Sequence, residues 1–143
     1  MAMKRILVLC LMLSGVTVFA QRRTYSKAPD AVRIAFNKQF QRVDDPRWVI
    51  EDGKYEAHFR HDGQQVSALY EKDGTWIETE RVIPVESLPA EVKLYIEKNF
   101  SGRNAREASV VKLANGETNY EAHINYMDLI FDQQGKYLRS EKD

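Results

Sequence analysis

The 143-residue chain has a single cysteine, Cys10, which excludes an intramolecular disulfide framework and any zinc site built on cysteines. It carries no surplus charge of either sign: 21 Lys and Arg stand against 21 Asp and Glu. No global field therefore draws in nucleic acid or an anionic membrane surface. It has no Gly-rich phosphate loop, no nucleophile elbow and no zinc-protease helix motif, so no familiar catalytic constellation is present. The hydrophobic run at the start is also too short to span a bilayer, since a spanning helix needs about 20 continuous apolar residues and Ile6–Leu13 gives way to Ser14 and Gly15. What is there is a 43% hydrophobic and 29% charged composition, the balance of a globular, water-soluble protein.

Residues 1–20 read as an export signal. Lys4 and Arg5 precede the apolar run, and Val18-Phe19-Ala20 sets small residues at the −3 and −1 positions of a signal-peptidase site. Leu9 precedes Cys10 where a lipidation site would need a small residue, so cleavage after Ala20, without lipidation or stable membrane insertion, is the expectation. The chain left from Gln21 onward has no cysteine, and its stability must come from its core.

The remaining sequence shows the same motifs twice, a pattern to be sought before any other. Ala28-Pro29-Asp30-Ala31-Val32 recurs as Leu88-Pro89-Ala90-Glu91-Val92, and both stretches run on to a Phe, Phe40 and Phe100. Tyr55-Glu56-Ala57-His58 returns unchanged as Tyr120-Glu121-Ala122-His123, and Tyr70–Ile77 returns as Phe131–Leu138. The expected fold class is α+β, with two tandem repeats over 21–81 and 82–143, each one helix packed on a four-stranded antiparallel sheet. Arg81–Val85 is then the junction between them.

Each unit opens with a Pro-led helix whose Val32, Phe36 and Phe40, or Val92, Ile96 and Phe100, form one apolar stripe at i, i+4, i+8. Period-two alternation follows, punctuated by Asp52-Gly53 and Asp62-Gly63, which are hairpin signals. Two-residue turns there put Trp48, Ile50, Tyr55, Ala57, Phe59, Val66, Ala68 and Tyr70 on one face, under the helix. Val49, Glu56, His58 and Leu69 then fall on the other. In the second unit, Tyr120 opposite both Val111 and Phe131 sets Val110, Glu121 and Ile130 in one row. The fourth strands are expected at Thr75–Thr79 and Lys136–Ser140, and the direction of Trp76 hangs on whether a bulge accompanies Gly74.

With its signal segment, Pro-led helices, Tyr-Glu-Ala strands and Asp-Gly-x-Trp turn, the sequence resembles the PepSY-like proteins, also described as β-lactamase-inhibitor-like, over roughly Lys27 to the C-terminus. The resemblance implies a small periplasmic protein of Gram-negative bacteria whose sheets join side by side, with a concave open face for binding. It carries over no catalytic residue. The β-lactamase inhibitory proteins contain disulfides, which this chain lacks after Ala20, and that departure argues against β-lactamase inhibition.

These readings converge on the outward sheet face. Glu56 between Val49 and Leu69, and Glu121 between Val110 and Ile130, place a carboxylate between aliphatic neighbours twice, with His58 and His123 two residues further along. Same-face neighbours on a strand lie about 7 Å apart, so a Glu and a His could approach one ion. A firm metal site needs three or four ligands, and only Asp128 adds to the pair at His123. The expected function is a non-enzymatic, periplasmic or secreted binding or inhibitory module, acting through Val49, Glu56, His58, Leu69, Val110, Glu121, His123 and Ile130 on a protein or peptide. No catalytic residue, cofactor or metal ligand is assigned. The alternative is a carrier or sensor of a small ligand or metal ion.

Overall fold

The computed structural model describes residues 24–25, 27–43 and 45–142; the export signal expected at 1–20 lies outside them. Two helices of ten residues each form where the apolar stripes predict them, α1 at Asp30–Gln39 and α2 at Ala90–Asn99. Pro29 and Pro89 stand at the N-cap positions with extended ψ of 155° and 149°, so each helix begins at the residue after its Pro. Both end at a Phe whose amide donates to the carbonyl oxygen four residues back, Phe40 to Phe36 and Phe100 to Ile96. Only one side of each helix is buried: Val32 and Phe36 in α1, Val92 and Ile96 in α2.

The strands are β1 (Thr24–Tyr25), β2 (Arg47–Glu51), β3 (Lys54–His61), β4 (Gln64–Tyr70), β5 (Trp76–Ile83), β6 (Glu107–Leu113), β7 (Thr118–Ile124), β8 (Met127–Phe131) and β9 (Tyr137–Lys142). They form one antiparallel sheet in sequence order, eight full strands with the two-residue β1 at one edge. This overturns the expected pair of helix-on-four-strand repeats. The cause lies in β5, which does not stop at Thr79 but runs to Ile83 and pairs with β6 from Glu78↔Leu113 to Ile83↔Ala108. Arg81–Ile83, the first three residues of the expected Arg81–Val85 junction, are continuous ladder, and both residues 81 and 82 lie inside β5. Pro84, which has no amide hydrogen to donate, ends that strand, and a 3-10 turn at Val85–Ser87 leads into α2.

Both helices cover the same face. A single row of Cα partners, Phe59–Val66–Arg81–Val110–Tyr120–Phe131, crosses from the α1 side to the α2 side. At one end of it, α1 packs Val32, Phe36 and Phe40 on Ala57, Ala68 and Tyr70. At the other, α2 packs Val92 and Ile96 on Ala108, Ala122, Leu129 and Phe131. The alanines at the centre of the strands let the helices sit close. The large rings fill the flanks: Phe36 meets Phe59 at 5.0 Å and Trp48 at 5.4 Å, both edge to face, a favourable ring geometry.

Trp76 points into this layer. A three-residue loop, Lys72-Asp73-Gly74, closes between Glu71 and Thr75. A bulge follows, so that Tyr70 faces Trp76 while Leu69 faces Glu78. The indole packs against the first core, and its Nε1 donates to Thr79 Oγ1 at 3.0 Å.

Candidate functional site

With both helices on one side, the opposite face of the sheet is left to do chemistry. In the first half the expected row is present, Val49, Glu56 and Leu69 pairing across three strands, and Glu78 extends it. Arg47, His58, Ser67, Glu80 and Val111 form the next. Two-residue turns with Asp52 (φ 49°) and Asp62 (φ 51°) followed by left-handed glycines fix that order, because such turns match the twist of the strands they join.

The second half departs from expectation by one residue in β6. Val110 lies opposite Tyr120, on the helix-bearing face, and Ser109 takes the place opposite Glu121. The reason is the loop Ala114-Asn115-Gly116. Leu113 donates to Glu117 across it and Gly116 adopts φ 89°, a three-residue closure that changes the parity relative to a two-residue turn. Val110 is therefore not part of the outward face. The row there is Val82–Ser109–Glu121–Ile130–Arg139, followed by Glu107–His123–Asp128–Glu141. Two other residues read as exposed aliphatics, Val49 and Ile130, are buried at 2% exposure each.

Between these rows lies an open cleft of about 700 Å³, lined across β2–β8 by residues including His58, Ser67, Glu80, Ser109, Glu121 and His123. Arg47 and Arg60 stand at one side; most of the remaining charged lining is acidic. Of the residues expected here, Glu56, His58, Glu121 and His123 line the cleft, while Leu69 sits in the adjoining row. Glu80 and Ser109 join them, and Glu78 lies beside Glu80 on the same strand face. Read in isolation, Glu78 and Glu80 look like a solvated strand end. Their alternate spacing on a strand that continues to Pro84 is the signal that places both carboxylates on the face of Glu56.

The electrostatics follow from burial. The Glu121 carboxyl is pushed up to about 8, first by burial and then by the like charges of Glu80, Asp128, Glu78 and Glu141. Burial also raises Glu80, with Glu56, Glu107 and Asp128 adding to the rise and a hydrogen bond from Ser109 opposing it. Glu78 is raised by burial, then by Glu80, Glu56 and Glu141, against the pull of Lys54.

The two histidines are tied differently. His58 Nε2 approaches Glu56 Oε2 to 2.9 Å without the alignment of a hydrogen bond. His123 bridges the β7–β8 hairpin, with Nδ1 at 2.9 Å from Asp128 Oδ1 and Nε2 at 2.9 Å from the Asn125 carbonyl oxygen. His61 lies apart, its ring against Phe40 and Phe59. Among the described residues no group of three or more His, Cys, Asp or Glu side chains is arranged to hold a metal ion. No helix among them is long and apolar enough to cross a membrane.

A model of the PepSY-like, beta-lactamase-inhibitor-like family matches residues 53–139. No curated protein matches the chain. Among solved structures the fold is similar to that of a DUF2874 family protein from Bacteroides ovatus, with a TM-score of 0.71, 17% identity, and 82% of this chain and 89% of that one covered. A BLIP-like protein from Bacteroides fragilis gives 0.67 and 18% identity over 82% and 88%. A protein from Bacteroides eggerthii, described as a candidate periplasmic protein, gives 0.72 and 20% identity over 82% and 90%. At these identities the likeness is one of fold.

Proposed function

The chain belongs to the PepSY-like, beta-lactamase-inhibitor-like family, and from that fold we propose that it is a non-enzymatic, exported binding module. It acts through the sheet face away from its helices on a protein or peptide that presents a basic group. The observation that carries this reading is the convergence of Glu80 from β5 with Glu121 from β7 on one open cleft, with Glu78 on the same strand face beside it. Burial first, and then the like charges of the surrounding carboxylates, raise all three above the ordinary carboxylate range. A lysine or arginine side chain entering the cleft relieves that repulsion and forms charge-assisted hydrogen bonds in a partly desolvated setting. Export is supported by the basic start, apolar run and Val18-Phe19-Ala20 of the N-terminal segment. The description of the Bacteroides eggerthii structure points the same way.

The reading is tested by placing a photo-cross-linking residue at Ser67, on the cleft wall, or at Ile34, 68% exposed on α1, and irradiating cells that export the protein. Adducts from position 67 with none from position 34 are expected. Adducts from position 34 alone would overturn the assignment of the working face.

A further inference from the structure

The two edges of the sheet are treated differently. Beyond β2, the pair Thr24–Tyr25 covers Ile50 and Val49, and Pro46, just before Arg47, has no amide hydrogen to offer. At the other edge β9 is the last strand of the described sheet. It contains no Pro or Gly, and its one irregularity lies at the start, between the pairs Phe131↔Tyr137 and Ile130↔Arg139. Five of its six residues are exposed, including Leu138 at 45%. An open strand with unpaired amides and carbonyls is a template for another strand.

From the order of charges along this edge, we propose that β9 pairs antiparallel with β9 of a second copy of the chain, about a two-fold axis at Ser140. A two-fold axis perpendicular to the sheet keeps each residue on its own face, so the centre must fall on a residue. Centred on Arg139, the pairing sets guanidinium against guanidinium; centred on Glu141, carboxylate against carboxylate. Centred on Ser140, Arg139 of each copy faces Glu141 of the other, and Leu138 faces Lys142, whose methylene stem can lie over it. Cross-strand opposite charges stabilise a pair and like charges oppose it, so among these three centres the charges favour Ser140. Within one chain, Arg139 Nε donates to Glu141 Oε1 at 2.7 Å, with both side chains more than half exposed. Such a pair has little to lose by exchanging partners across the axis. Arg139 and Glu141 lie on the cleft side of the sheet, through their pairing with Ile130 and Asp128. The dimer therefore runs two clefts into one continuous face, an isologous contact of the commonest oligomeric symmetry.

Sedimentation equilibrium over micromolar to millimolar protein tests this with the chain from Gln21 onward. The wild type is expected to show a reversible monomer–dimer equilibrium. R139E alone and E141R alone should each weaken it at least tenfold, since each sets like charges face to face. An equimolar mixture of the two variants should recover the dimer, because the guanidinium pair of one then faces the carboxylate pair of the other. The double variant R139E/E141R should recover it too. Thermal midpoints within a degree or two of wild type show that the variants are folded. A wild type monomeric at every concentration overturns the proposal, and so does a dimer that neither reversal weakens.

Discussion

A Cβ built on Gly74 would stand 2.7 Å from the carbonyl oxygen of Ala31 in the first turn of α1. No real side chain tolerates that distance, and Gly74 also holds φ +90°. The turn after β4 is thus seated directly against the start of the helix. Gly135, φ +81°, repeats the arrangement, with a Cβ position 2.8 Å from Glu91 Cβ. Gly53, at φ +79°, has open space around it.

The three glycines should therefore separate in a denaturation series. Gly53→Ala meets only the left-handed conformation, which costs about 1–2 kcal/mol. Gly74→Ala adds a clash with backbone and should lose on the order of 3 kcal/mol or more. Gly135→Ala should fall between them, since its clash is with Glu91 Cβ and the nearest backbone atom is 3.4 Å away. Urea midpoints of the three variants check the order.

Phe36, 1% exposed, touches the rings of Phe40, Trp48, Phe59 and Tyr70. Its removal leaves a cavity that four rings cannot fill, so Phe36→Ala should destabilise by about 3–5 kcal/mol, and Ile96→Ala under α2 by about 2–5 kcal/mol. Because β5 and β6 share a six-pair ladder, separate chains of 21–81 and 82–143 should fold poorly. Chemical denaturation of each fragment beside the whole checks this, and independent cooperative transitions matching the parent would contradict it.

The raised carboxyls set a pH dependence. A group that binds its proton more tightly when folded makes stability fall as pH rises from its unfolded value to its folded one. For Glu121 that window runs from its ordinary 4.5 to about 8, and Glu78 and Glu80 act in the same direction. Thermal midpoints should decline between pH 5 and pH 8. Glu121→Gln should raise the midpoint at pH 8, change it little at pH 5, and flatten the slope between.

Much of the first half was legible because two-residue Asp-Gly turns fix parity. Once Asp52-Gly53 and Asp62-Gly63 are placed, Tyr55↔Tyr70 and Glu56↔Leu69 follow. The helices were legible from Pro29, Pro89 and their stripes. The second half was less so, because the three-residue loop at Ala114–Gly116 closes with the opposite parity and moves Val110 to the helix side. The single sheet was not legible in the residues themselves; only the family resemblance, which implies sheets joined side by side, pointed to it. Nothing local in Arg81–Ile83 announces a partner at Ala108–Val110, some 25 residues on, and long-range pairing of this kind is decided by the whole fold. The same pairing puts Glu78 and Glu80 on the face of Glu121, with only β6 between them, so the acidic character of the cleft was hidden with it. Ile130, read as an exposed contact, is 2% exposed; Ile130→Asp should cost stability, which makes it a poor probe of binding.

The central claim, that the cleft takes a basic group, is tested most directly by an amide NMR titration. The probes are two extended peptides of equal length, one alternating Lys with Ala and the other Glu with Ala. The account predicts that the lysine peptide shifts amides of β5–β7 around Glu80, Ser109 and Glu121 and leaves α1 and α2 unmoved. Raising salt should weaken the effect, as should the Glu80→Gln/Glu121→Gln double variant, by about tenfold or more, while the glutamate peptide does nothing. Shifts confined to the helices, or equal shifts from both peptides in the double variant and the wild type, would contradict it.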